Sequence, residues 1–148
     1  MDTNKLLAKQ RVWEGYRTTV YDDANGSPIK QSTYVRGNPT IGIGRNLTNP
    51  LSDAAIEFLW NESVQLAFAN ASTFPWFEEL SEPRQLAICD MEFNLGHQKL
   101  LTFQQFLSYM EAHDYESAAN DLETTAWAAQ VKGRATYLIA AIRNGTWP

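Results

Sequence analysis

Residues 16–44 read YRTTVYDDANGSPIKQSTYVRGNPTIGIG, and this stretch decides the fold. It holds three β-branched and aromatic runs, Thr18-Thr19-Val20-Tyr21, Ser32-Thr33-Tyr34-Val35 and Thr40-Ile41-Gly42-Ile43. Side chains branched at Cβ lose rotamer freedom in a helix and fit the pleated surface of a strand. Between the runs lie Asn25-Gly26-Ser27-Pro28 and Gly37-Asn38-Pro39, whose glycine, asparagine and proline residues reverse the chain. Short runs separated by turns predict a small antiparallel sheet over about residues 16–50.

On either side the periodicity is helical. Before Gly15 a short helix is expected, with Asp2, Thr3 or Asn4 as possible N-cap, Leu6 and Trp13 one heptad apart, and Glu14 as its last residue. After Leu51, Ser52 caps a long helix whose face runs through Ile56, Leu59, Ser63 or Val64, and Ala67. Ser81 opens a helix with Pro83 in its first turn, apolar around most of its circumference and therefore central. Thr102 and Asp114 cap two amphipathic helices, and a last one runs from about Gly133 to Asn144-Gly145. The expected class is α+β, mostly α: a sheet lobe at about 16–50 and a helical lobe of 1–15 plus 51–148, forming one domain with a cleft between the lobes.

Composition narrows the function classes. The 148 residues are 44% hydrophobic and 20% charged, the balance of a folded globular chain. Cys89 is the only cysteine, so no intrachain disulfide can form, and His97 and His113 have no partner at metal-ligand spacing. No metal or other cofactor is implied. Residues 1–15 carry Lys5, Lys9, Arg11 and Glu14 among the apolar positions, which is not a signal peptide, and no apolar run reaches the ~18 residues of a spanning helix. The net charge of −5 argues against nucleic acid as a partner and against nonspecific attraction to anionic wall polymers. Affinity for a polymer would have to come from a shaped cleft.

The chemistry resides in an ordered set: Glu14-Gly15, then Tyr21-Asp22-Asp23 with Gly26, then Thr40-Ile41-Gly42-Ile43-Gly44. This set resembles the phage-type lysozymes, glycoside hydrolase family 24, whose pattern is Glu-Gly, Tyr-x-Asp-x-x-Gly and Thr-Ile-Gly-x-Gly. The resemblance continues in Phe93-Asn94-Leu95-Gly96, Trp127, Arg134-Ala135 and Arg143-Asn144-Gly145-Thr146-Trp147, and so covers nearly the whole chain. It implies a lysozyme-like fold and a muramidase that cleaves the β-1,4 bond between N-acetylmuramic acid and N-acetylglucosamine. Glu14 becomes the general acid, Asp23 the second carboxylate, and Thr40 the hydroxyl that helps hold the attacking water. Asp22 is the rival for Asp23, but only Asp23 lies two after Tyr21 and three before Gly26. Arg134 is implied to orient Glu14, and Phe93, Asn94 and Trp127 to meet sugar. Core packing is the competing reading for Phe93 and Trp127.

Physical chemistry supports the division of labour independently. Glycoside cleavage needs one carboxyl to protonate the leaving oxygen and another to stabilise the oxocarbenium-like transition state or activate water. At a helix C-terminus the negative end of the dipole disfavours an ionised Glu14, while Asp23, in a polar turn, stays ionised. The resemblance also implies an endolysin: a monomer made in the host bacterial cytoplasm that acts on peptidoglycan glycan strands after a separate protein permeabilises the membrane. It forms no stable membrane insertion and uses no nucleic acid. An inverting mechanism is expected. The competing activities are a lytic transglycosylase, a chitin-directed hydrolase and a non-catalytic peptidoglycan-binding module. Two departures from the family pattern stand out: an enlarged hairpin at 27–39, and Arg45 where histidine is common.

Overall fold

The computed structural model describes Ala8, Gln10–Val12 and Gly15–Trp147. Leu6, Trp13 and Glu14, and with them the end of the expected first helix, lie outside the described residues. The chain forms two compact units that part between Ile56 and Glu57.

The first unit carries a three-stranded antiparallel sheet in the order β1 (Arg17–Asp22), β2 (Pro39–Gly42), β3 (Arg45–Asn46). Tyr21 pairs with Thr40 and Asp22 with Pro39, while Thr40 and Ile41 pair on the other side with Asn46 and Arg45. The Gly-x-Gly of the motif is the β2–β3 turn. Gly42 and Gly44 both have positive φ, at 68° and 89°, a backbone region that side chains with a Cβ resist.

One expected strand is absent. Ser32–Val35 is irregular, because a strand needs a ladder partner and this segment has none among the described residues. The outgoing arm of the hairpin stays with β1 through a Tyr21–Pro28 bridge and the bonds from Ile29 N to the Val20 carbonyl and from Asp22 N to the Ser27 carbonyl, each 2.9 Å. A turn follows, in which Thr33 N donates to the Lys30 carbonyl and Lys30 N donates back to Thr33 Oγ1. The third strand is instead Arg45–Asn46, and the Arg45 guanidinium donates to the Pro50 carbonyl at 2.6 Å.

From Glu57 onward the chain is helical: α1 (Asp53–Ala71, which begins in the first unit), a 3₁₀ turn (Phe77–Glu79), α2 (Glu82–Leu95), α3 (His97–Leu100), α4 (Gln104–Glu111), α5 (Tyr115–Glu123), α6 (Ala126–Val131) and α7 (Gly133–Asn144). Its core is built from Phe77, Ile88, Met91, Phe106, Leu122 and Ile142, all essentially solvent-free. Burying each such side chain contributes roughly 1.5–3 kcal/mol, and the fully buried Ala87, Ala118, Ala119 and Ala141 let the helices approach closely. On α1 only Ala67 and Ala71 are buried, whereas Leu59 and Val64 from the expected inward face stay exposed.

Helix ends are closed by specific groups. Asp114 Oδ1 accepts from Ser117 N at 3.1 Å, and Thr125 Oγ1 accepts from Ala128 N at 3.1 Å. At the end of α7, Gly145 adopts the left-handed conformation. The Arg84 guanidinium covers that end, donating to the carbonyls of Ile142 (2.8 Å) and Arg143 (3.3 Å) while lying 3.6 Å from the Tyr115 ring centroid.

Candidate active site

Two adjacent carboxylates stand where β1 ends, Asp22 as its last residue and Asp23 just beyond it, and their surroundings differ. Asp22 is buried and its carboxylate accepts the backbone N–H groups of Arg36 (2.7 Å), Gly37 (2.9 Å) and Ala24 (3.0 Å), with the Asn25 side-chain amide at 3.4 Å. The Arg36 N–H, followed by those of Gly37 and Ala24, holds its pKa below the usual carboxylate value against the opposing effect of desolvation. These contacts tie the far arm of the hairpin to the end of β1. Asp22 therefore serves as an anchor.

Asp23 is exposed, and both of its oxygens accept from Asn38. Asn38 N donates to Oδ1 at 2.6 Å and Asn38 Nδ2 donates to Oδ2 at 3.0 Å. These two bonds lower the Asp23 pKa, backbone first, against desolvation and the neighbouring Asp22 charge. Thr40, 3% exposed on β2, donates its hydroxyl to the Asn38 carbonyl at 3.1 Å, leaving the oxygen able to accept from water. Gly26, the last residue of the Tyr-x-Asp-x-x-Gly pattern, has φ +70° and its carbonyl accepts from Arg17 Nη1 at 2.6 Å, with that guanidinium 4.2 Å from the Tyr21 ring centroid. The motif is thus a tight turn clamped by Arg17 that delivers Asp23 next to β2. Its contacts to Asn38, 15 residues away, have no signal in the sequence beyond a turn reading.

In the second unit the remaining candidates gather where α2 meets α6 and α7. Trp127 is 5% exposed and packs in the core, with Phe103 edge-on at 6.3 Å, so the packing reading holds for it. Its indole N–H donates to Asn94 Oδ1 at 2.8 Å, which leaves the exposed amide nitrogen of Asn94 to donate elsewhere. Phe93 is 45% exposed and, with Trp60, Leu86, Asp90, Arg134 and Trp147, lines a pocket of about 390 Å³. Arg134 sets its fork on Asp90, Nε to Oδ2 at 2.7 Å and Nη2 to Oδ1 at 2.8 Å. That hydrogen-bonded pair raises the guanidinium pKa further and orients its plane. Sequence reading missed Asp90, because only the packing of α2 on α7 joins two residues 44 apart. Glu14, the expected acid, lies outside the described residues.

Two other groups lie beside acidic side chains. The Nδ1 of His97 lies 2.8 Å from Oε1 of the fully buried Glu92 side chain, whose Oε2 has no partner among the described residues. Cys89 is half-buried, and burial together with the charges of Glu92 and Asp90 pushes its thiol up to about 11. Among the described residues, no group of three or more histidine, cysteine or acidic side chains is placed to hold a metal ion. No helix there is long and apolar enough to cross a membrane.

The chain is similar to known proteins along most of its length. The family model described as phage lysozyme matches residues 11–143. A probable T4-type lysozyme 1 of Dictyostelium discoideum is 26% identical over 100 residues, 68% of this chain, which spans only 59% of that relative. A probable T4-type lysozyme 2 of the same organism is 25% identical over 157 residues, covering 85% of this chain and 91% of the relative. The pre-baseplate central spike protein Gp5 of Enterobacteria phage T4 is 26% identical over 151 residues, 89% of this chain but 26% of the spike protein.

Proposed function

Because this chain belongs to the phage lysozyme family, we propose that it is a muramidase that hydrolyses the β-1,4 bond between N-acetylmuramic acid and N-acetylglucosamine with inversion at the anomeric carbon. The observation that carries this reading is the Asp23 carboxylate, held ionised beside the Thr40 hydroxyl by a shared neighbour, Asn38. In the reaction Glu14 gives its proton to the glycosidic oxygen as the bond from C1 breaks. Asp23 stabilises the positive charge that develops at C1 and takes a proton from a water whose position Thr40 helps to fix. That water attacks the face opposite the leaving group, so C1 gains a hydroxyl of inverted configuration.

Binding falls to the second unit in this reading. The Asn94 amide nitrogen donates to acetamido carbonyls, Phe93 offers an exposed ring to a sugar face, and buried Trp127 orients Asn94. Arg134, already oriented by Asp90, is assigned to Glu14. In the cell the protein acts as an endolysin, a monomer that meets glycan strands once a separate protein has permeabilised the host membrane.

Purified protein incubated with isolated peptidoglycan, followed by mass analysis, tests the reading. Hydrolysis adds one water to each cut, a transglycosylase yields anhydro ends without added water, and a binding module yields no fragments. Cleavage of chitin oligomers in preference to peptidoglycan would transfer the assignment to a chitin-directed hydrolase.

A further inference from the structure

The long connection between β1 and β2 leaves the sheet at Ile29 and returns through Arg36, Gly37 and Asn38. We propose that this return arm makes Asn38 the positioning residue of the site, fixing Asp23 and Thr40 at a set separation for the attacking water. The inference rests on the reading of Asp23 and Thr40 given above. Asn38 touches both partners through its backbone N–H, its backbone carbonyl and its side-chain amide nitrogen. Its N–H and side-chain amide grip the two Asp23 oxygens, and its carbonyl accepts from Thr40 Oγ1 and from Asp23 N, each at 3.1 Å. A carboxylate held at both oxygens cannot rotate about its terminal torsion. It can accept about four bonds, and Asn38 takes two, so capacity for water remains.

Asn38 is itself confined from both sides. The preceding peptide groups at Arg36 and Gly37 are bound to buried Asp22, and Gly37 lies so close that a methyl there would overlap the Asp23 carboxylate. The following Pro39 restricts Asn38 to extended conformations and enters β2 opposite Asp22. A group fixed in this way supplies orientation before substrate arrives. The charged neighbours are Asp22, whose charge acts on Asp23, and Arg36, whose charge acts on Asp22.

The experiment measures kcat and KM on soluble peptidoglycan fragments, with the pH dependence of kcat/KM, for the full chain carrying Asn38→Ala, Asn38→Asp or Thr33→Ala. Removing the amide donor should lower kcat about tenfold with KM changed less than about twofold, and should move the acid limb to higher pH because Asp23 loses a bond to its ionised form. Asn38→Asp, similar in size and with the same backbone, puts a like charge beside Asp23 and should move the limb further. Thr33→Ala, at the hairpin tip, should leave all three readings unchanged, which separates positioning from general loosening of the hairpin. A folded Asn38→Ala enzyme with wild-type kcat and acid limb would overturn the proposal. If Asn38→Ala fails to fold, wild-type behaviour of Asn38→Asp overturns it, and loss of fold in both assigns Asn38 to hairpin stability alone. Asp23→Asn is measured in parallel. If that variant keeps full activity, the catalytic reading itself fails, whereas an inactive Asp23→Asn beside a normal Asn38→Ala removes only the positioning role.

Discussion

Replacing Asn94 separates a structural bond from the proposed binding role, because the reading assigns its two amide atoms different tasks. Oδ1 accepts from Trp127 Nε1 at 2.8 Å, and Trp127 is 5% exposed. Asn94→Ala deletes the acceptor and leaves the indole N–H unpaired. A net neutral hydrogen bond contributes about 1 kcal/mol and a stranded buried donor costs about 1–3 kcal/mol. Since Asn94 is exposed, water can reach the vacated position, so the lower part of that range applies and a loss of about 1–1.5 kcal/mol is expected. For a chain of this size that is a fall in Tm of roughly 3–6 °C. Asn94→Asp keeps an oxygen at the indole and should lose less than about 0.5 kcal/mol. Both variants lack the outward donor, so both should raise KM about fivefold, as the loss of about 1 kcal/mol of binding requires. Urea denaturation of both, and of Trp127→Phe alone and combined with Asn94→Ala, gives the coupling, expected near 1 kcal/mol. A coupling of zero, or Asn94→Asp as unstable as Asn94→Ala, would refute the assignment of Oδ1 to Trp127.

The remaining expectations are briefer. Glu14→Gln should abolish hydrolysis with the circular dichroism spectrum unchanged, since the amide keeps shape but has no proton to give. Normal turbidity clearance by the folded variant would remove Glu14 from the mechanism. The Asp22 pKa is lowered in the folded chain from an ordinary value of 3.8, so its contribution is fully present above that value and is lost as pH falls through the folded one. Thermal midpoints of wild type should therefore drop more steeply below about pH 4 than those of Asp22→Asn, and parallel curves would contradict the cage of N–H donors. With its thiol at about 11, Cys89 should react with a disulfide reagent at pH 8 at least ~10-fold more slowly in the folded protein than in urea. Equal rates would show the thiol to be unshielded.

Local chemistry made much of this molecule legible. The Asp114 cap and the Phe106 and Met110 face of α4 follow from composition and a 3.6-residue period, and both are seen. The helix α2, opened at Ser81 beside Pro83 and closed at Gly96, follows in the same way. Where reading failed, a nonlocal partner decided. Ser32–Val35 has the composition of a strand but no neighbour to pair with among the described residues, and the hairpin arm spends backbone donors on Thr33 and Asp22. The short helices α3 and α6 hold 4 and 6 residues, too few for periodicity to mark them.

The sequence by itself set the order of residues that resembles the phage lysozyme pattern, and within that pattern the count from Tyr21 and to Gly26 selects Asp23 over Asp22 as the proposed second carboxylate. It did so because capping, turn geometry and side-chain alternation act over a few residues, and their rules can be read along the chain. Only the tertiary structure decided what surrounds those residues. Asn38 against Asp23, Asp90 against Arg134 and Asn94 against Trp127 are separated by 15, 44 and 33 positions. Each pairing exists because packed elements bring a donor to a carboxylate or an amide oxygen, and burial then makes leaving that donor unpaired costly.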